Sequence, residues 1–178
     1  MPKSKKENSK SNGAETSDPS SDPQVLFSAY SAFCKEIGLT PHEGVKQALT
    51  NEENPNNGKQ ILISIDEDRR GNSLGPGGCR ALATALLGRC PRSPRCENGK
   101  PIIYSILKEI RIWRDNINDE GTYALAEILR LGGAELQLSF LEIAYSNIGT
   151  AGAKALGKSL SIGVSDILPS YSMCICAT

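Results

Sequence analysis

The sequence has a single histidine and no surplus of either charge, with 20 basic and 20 acidic residues. That balance gives no electrostatic pull toward nucleic acid or an anionic membrane surface. No apolar run approaches the roughly 18 residues that a membrane-spanning helix needs. The N-terminal lysines are followed by no apolar core, which excludes a secretory signal. No Asn-x-Ser/Thr acceptor occurs. These absences point to a reducing, cytoplasmic compartment.

Chemistry-bearing patterns are equally scarce. A Ser-His-Asp or Cys-His arrangement would have to use His42, which opens a predicted helix and has no second partner around it. It reads as a capping or surface histidine. The six cysteines are Cys34, Cys79, Cys90, Cys96, Cys174 and Cys176. Neither Cys90/Cys96 nor Cys174/Cys176 has the CxxC spacing of a strong zinc site, so free thiols are expected. GNSLGPGG is glycine-rich but lacks the Lys-Ser/Thr of a phosphate loop. The acidic pairs Asp66/Asp68 and Asp119/Glu120 read as solvated or helix-start carboxylates. The expectation is no enzyme, no cofactor and no metal, and a small-molecule ligand is not favoured. A small metal or redox protein built on the cysteines is the contrasting reading.

What the sequence does have is one pattern written twice. LKEIRIWRDNINDEGTYALAEIL, from Leu107, and LSFLEIAYSNIGTAGAKALGKSL, from Leu138, align at an offset of 31 residues. Leu107, Ile110 and Ile112 match Leu138, Leu141 and Ile143. Ile117 matches Ile148, Gly121 matches Gly152, and Leu125 and Leu129 match Leu156 and Leu160. Apolar residues spaced by three and then two, with isoleucine prominent, predict a short strand. Leu125, Ile128 and Leu129 have helical spacing. Each unit therefore reads as strand, turn, helix. Stacking such units puts the strands in one parallel sheet and the helices in a layer behind it. A third copy, NSLGPGGCRALATAL, aligns Leu74 with Ile117 and Gly78 with Gly121, behind a strand in which Ile61, Ile63 and Ile65 alternate with Leu62, Ser64 and Asp66.

The pattern LxxLxLxxN followed by xIxxxGxxxLxxxL resembles the leucine-rich repeats of the ribonuclease-inhibitor type. GPGGCRALATAL and DEGTYALAEIL are similar to that family's GAxALAxAL helix. The resemblance covers residues 59–163. It implies an α/β leucine-rich repeat solenoid, a short horseshoe with parallel strands on the concave side and helices on the convex side. The chain departs from the family at the asparagine ending each strand: Asn72 fits, but Asp115 and Ser146 stand in the matching places, with Asn116 and Asn147 one residue late.

The flanks differ in kind. Residues 1–22 are almost without apolar side chains and are expected to be a disordered leader. Residues 23–58 are expected to form a helical N-terminal cap over the first strand's edge. One helix starts at Asp22-Pro23, turns Leu26, Tyr30, Phe33 and Ile37 to one face, and stops at Gly38. The next has Thr40 as its cap, Pro41 first, Glu43 completing a capping box, and Val45, Ala48 and Leu49 inward. YSAFCKEIGLTPHEGVKQAL resembles helical leaders in centrosomal and ciliary leucine-rich repeat proteins, which implies a cytoskeletal or ciliary variant of the cytoplasmic location. NEENPNNGK is a loop, and residues 89–102 are an insertion between the first and second units. Residues 164–178 are expected to be an irregular tail. Its apolar character, where a stacked array needs a polar end, points to a truncated or variant terminus.

The surface remains. The resemblance places the side chains between the apolar strand positions on the concave side. These are Glu109, Arg111, Trp113 and Arg114 in the second unit, Phe140, Glu142, Ala144 and Tyr145 in the third, and Ser64 and Asp66 in the first. Trp, Tyr and Arg are enriched at binding hot spots. Glu109, Arg111, Trp113, Arg114, Phe140, Glu142 and Tyr145 are therefore the candidate partner-binding residues. The expected function is a non-catalytic scaffold that binds another protein. Regulation of an enzyme, such as GTPase activation, is the alternative that the resemblance also implies.

Overall fold

The computed structural model describes residues 18–64, 73–89, 100–132 and 135–162, with the backbone alone at 96–97, 163 and 172–176. The elements run α1 (Pro23–Glu36), α2 (Glu43–Thr50), β1 (Gln60–Ser64), α3 (Gly75–Leu86), β2 (Cys96–Glu97), β3 (Lys100–Pro101), β4 (Glu109–Trp113), α4 (Asn118–Gly132), β5 (Phe140–Ala144), α5 (Thr150–Gly163) and β6 (Ser172–Cys176). The class is α/β. Strands β1, β4, β5 and β6 form one parallel sheet in that order, and β2 and β3 form a separate antiparallel pair.

The 31-residue offset of the sequence is the register of the β4–β5 pair. Ile110 faces Leu141, Arg111 faces Glu142, Ile112 faces Ile143 and Trp113 faces Ala144. One strand earlier, Ile61 faces Ile110 and Ile63 faces Ile112. The period-two alternation thus lines Ile61, Ile63, Ile110, Ile112, Leu141 and Ile143 along one buried face. Leu82, Leu86, Leu125, Ile128 and Leu156 close on that face from the helices. Each fully buried Leu or Ile contributes about 1.5–3 kcal/mol relative to exposure. The helices lie side by side as α1, α3, α4 and α5.

Close helix packing explains two of the aligned glycines. A Cβ at Gly121 would lie 3.3 Å from Cys79 Sγ and 3.3 Å from Pro76 Cα, both on α3. A Cβ at Gly152 would lie 3.1 Å from Thr122 Cβ on α4. Each helix start is pressed against the preceding helix and against the isoleucine of its own turn, Ile117 or Ile148, so a side chain there would displace both.

Two carboxylates tie one strand–helix unit to its neighbour. Asp115 is fully buried after β4. It accepts from Ser73 Oγ (2.8 Å), Leu74 N–H (2.7 Å) and Gly75 N–H (2.9 Å), so it caps α3 from the next unit. Asp119, in the first turn of α4, accepts from Gly149 N–H (2.7 Å) and Gly152 N–H (2.9 Å) at the start of α5. Sequence reading gave Asp119 only a solvated or helix-start role within its own helix. Ser146 bonds locally, its hydroxyl donating to the Ala144 carbonyl at 2.9 Å. Asn147 donates to Asn116 Oδ1 at 3.1 Å, across matched turns. Asn72 lies outside the described residues.

Several expectations at the flanks need correction. Residues 18–22, placed within a disordered leader, are ordered: Asp18 accepts from Ser20 N–H at 2.9 Å, and the Ser20 carbonyl accepts from Ser105 N–H at 2.8 Å. Residues 1–17 lie outside the described residues. Asp22 caps α1 as expected, accepting from Gln24 N–H (2.8 Å), and Gly38 follows the helix at φ 75°. Ile37, assigned to the inner face, is exposed instead, because it sits beyond the last helical turn. The cap of α2 is His42, not Thr40: its Nδ1 accepts from Gly44 N–H at 3.0 Å while its own N–H donates to the Tyr30 hydroxyl at 3.1 Å. α2 packs along β1 with Val45, Ala48 and Leu49 buried. The tail expected to be irregular adds strand β6, with Met173 facing Leu141 and Ile175 facing Ile143. Residues 164–171 and 177–178 lie outside the described residues. Within the 89–102 insertion, β2 and β3 make a short antiparallel pair.

Removing the Asp115 carboxylate strands one buried backbone donor, Leu74 N–H, and one half-buried donor, Gly75 N–H, at a helix start. Asp115→Ala should lower unfolding free energy by about 2–4 kcal/mol. Asp119→Ala, at a half-buried site, should lower it by about 1 kcal/mol. Urea unfolding of both variants measures the two values, and equal losses would contradict the unequal burial.

A pH dependence follows from the core. Burial pushes the Tyr30 phenol above its ordinary 10.0 and the Cys34 and Cys79 thiols above their ordinary 9.0; at Cys79 the nearby Asp115 charge adds to the effect. Below the ordinary values both folded and unfolded chains hold these protons. Above them the unfolded chain loses protons that the fold retains, so stability falls as pH rises, by up to about 1.4 kcal/mol per pH unit for each group. The urea midpoint should drop between about pH 8 and about pH 10, and Cys79→Ala should flatten that drop.

Candidate functional site

The face of the sheet turned away from the helices is built from the residues between the buried isoleucines. The register sets them in rows: Gln60, Glu109 and Phe140; then Leu62, Arg111 and Glu142; then Ser64, Trp113 and Ala144. The turn residues Arg114 and Tyr145 follow Trp113 and Ala144. All seven candidate residues therefore lie on one face or along the rim where β4 and β5 end. Asp66 lies outside the described residues. Ala144, expected at the surface, is buried.

The first two rows are tied together. Gln60 donates its side-chain amide to Glu109, and Arg111 Nε donates to the other Glu109 oxygen. Arg111 Nη1 also lies 3.6 Å from Glu142 Oε2. Its guanidinium carbon stands 4.8 Å from the centre of the Phe140 ring, within cation–π range. Arg111 thus separates two half-buried carboxylates on adjacent strands, which would otherwise repel. Removing it would disturb the sheet as well as the surface, so Arg111 positions this row more than it offers a free contact.

The β1 edge of the middle row and the rim where β4 and β5 end are open. Leu62 is 53 % exposed, Trp113 42 % and Tyr145 59 %. Sequence reasoning missed Leu62 and Gln60 as face residues. The alternation of QILIS carried the signal, since Gln60, Leu62 and Ser64 must share a side when Ile61 and Ile63 face inward. Leu62 and Trp113 are diagonal neighbours on adjacent strands, with Cα atoms roughly 8 Å apart by standard strand spacing.

Backbone strain coincides with this open rim. Arg114 and Tyr145, equivalent in the two units, both have left-handed φ, 55° and 54°. Bulky side chains rarely adopt that conformation, which costs about 1 kcal/mol or more. Arg114 N–H donates to the Ala144 carbonyl at 3.0 Å, and Asn118 N–H donates to the Ser146 carbonyl at 3.2 Å. These bonds across the turns hold the strained conformation.

No family model and no curated protein matches the chain. The face must be judged on its own chemistry.

The remaining candidate groups are spread through the fold. His42 is buried and occupied with capping α2. Cys34 and Cys79 are free and buried in the core. Cys90 lies outside the described residues, and at Cys96, Cys174 and Cys176 only the backbone is described. Among the described residues no three His, Cys, Asp or Glu side chains are grouped to hold a metal ion. Among them, too, no helix is long and apolar enough to cross a membrane.

Asparagine tolerates left-handed φ several-fold better than tyrosine, and the Tyr145 ring is mostly in solvent. Tyr145→Asn should raise stability by about 0.5–1 kcal/mol, a rise of about 1–4 °C in Tm. Differential scanning calorimetry checks this, and a lower Tm would mean that the ring contributes packing.

Proposed function

We propose that the chain is a leucine-rich repeat solenoid of the ribonuclease-inhibitor type, a short horseshoe with residues 23–58 as its helical N-terminal cap. We further propose that it is a non-catalytic, cytoplasmic scaffold that binds another protein on its concave sheet face. The in-register parallel strands, with a helix after each of β1, β4 and β5, support the repeat reading. So do Gly121 and Gly152 at equivalent helix–helix contacts.

One observation carries the binding reading: Leu62, Trp113 and Tyr145 are exposed on one face and its rim, beside the contacts by which Arg111 ties Glu109 and Glu142. Large apolar side chains clustered on an otherwise satisfied surface mark interaction sites. A sheet backed by helices keeps them in fixed positions, which lowers the ordering cost of binding. The buried histidine and thiols already have structural places, which favours binding over catalysis.

Trp113→Ala combined with Tyr145→Ala tests the reading, since neither side chain supports the core. Proteins captured from source-cell extract by the intact chain should be depleted about tenfold or more by the double variant. Its Tm should stay within about 3 °C of the parent. Equal capture by both proteins would reject the face.

A further inference from the structure

We propose that the partner presents an acidic segment: an aliphatic or aromatic anchor that packs on Leu62, Trp113 and Tyr145, with an Asp or Glu close to it in sequence that pairs with Arg114. This rests on the concave-face reading and adds the chemistry of what binds there.

Charge complementarity is the argument. The face carries four formal charges among its described candidate residues. Three of them, Glu109, Arg111 and Glu142, are committed to one another across the first two rows. The fourth is Arg114, which is exposed and makes no ion pair among the described residues. It directly follows Trp113, and its backbone N–H bonds to Ala144, the residue before Tyr145. The backbone of Arg114 therefore lies between Trp113 and the end of β5, and its guanidinium has no ion-pair partner among the described residues. The first two rows have a net negative charge among these candidate residues that would repel a second carboxylate, which favours an acid placed at the Arg114 rim. A guanidinium matches a carboxylate in two-pronged geometry, which an ammonium would not. The left-handed backbone at Arg114 is retained although glycine or asparagine would relieve it, and strain of that kind gathers at binding sites.

The test uses the full chain, immobilised, to select from a display library of random dodecapeptides. Fluorescence anisotropy then measures the enriched peptides against the parent chain, Arg114→Glu, Arg114→Asn and Trp113→Ala. Arg114→Asn removes the charge while suiting the backbone, and circular dichroism confirms that each variant is folded. Enriched peptides should place Asp or Glu within a few residues of an apolar anchor. Their affinity should fall about tenfold or more for Arg114→Glu, and the fall should shrink as salt is raised. Changing the peptide acid to Lys should restore part of the loss in that variant. Peptides that lose affinity with Trp113→Ala but ignore both Arg114 variants would overturn the acidic chemistry and leave the face standing. Peptides indifferent to Trp113 and Arg114 alike would overturn the face itself. A selection that enriches basic sequences, or none with an acid beside an anchor, overturns the proposal.

Discussion

Parallel strands cannot be joined by a tight turn; each crossover needs a dozen or more residues, and a helix is the compact way to fill them. Here that constraint sets the whole layout. β1, β4 and β5 are each followed by a helix, and the helices line up in the same order as the strands. A parallel sheet of this kind buries the face its helices cover, so the isoleucines at alternating positions must all point one way. The other face then receives whatever stands between them. Ile110 and Ile112 thereby determine where Arg111 and Trp113 go, and the surface is a by-product of the core's periodicity.

Apolar packing alone would let neighbouring units slide. The polar contacts between them are directional and oppose that. Asp115 reaches back to the start of α3 and Asp119 reaches forward to the start of α5, so the second unit grips both of its neighbours. Each carboxylate sits where backbone N–H groups lack helical partners and where the helix dipole favours negative charge. Asp115 occupies the position that Asn72 holds in the aligned upstream copy. A carboxylate is a stronger acceptor for several donors at once, but it must remain charged in a buried place. Three hydrogen bonds at 2.7–2.9 Å are what make that burial tolerable.

What could be read from the sequence was what repeats. Ile110 opposite Leu141, and the close approach at Gly121, follow from a single 31-residue alignment, because register and packing recur with the chain's own period. The parts that could not be read depend on contacts that do not recur. Asp119 resembles any first-turn acid until the neighbouring unit's N–H groups are placed beside it. His42 displaces Thr40 as a cap because Tyr30 and Gly44 approach it from separate elements. β6 escaped notice because SMCIC has the alternation of a strand but none of the leucines of the preceding two units, and only pairing with β5 reveals it. On the candidate face, residue order gave the membership. It did not show that Arg111 is tied to two carboxylates while Arg114 meets none among the described residues, since that depends on which oxygens lie within reach.

That difference between two arginines three residues apart is the physical basis for separating scaffold from contact. Arg111 lies mid-strand, where neighbours on both adjacent strands are fixed by the register, so its charge is neutralised within the fold. Arg114 lies one residue past the strand, where the backbone turns through a left-handed conformation and the described residues of the sheet offer no ion-pair partner. A sequence selected for stability alone would place glycine or asparagine there and at Tyr145. Two large side chains instead hold that conformation at matched positions, beside an exposed tryptophan, while the buried face of the same strands keeps every local preference. Among the described residues, the bulky side chains in left-handed backbone are Arg114 and Tyr145, at matched ends of β4 and β5, which favours a role outside folding for them.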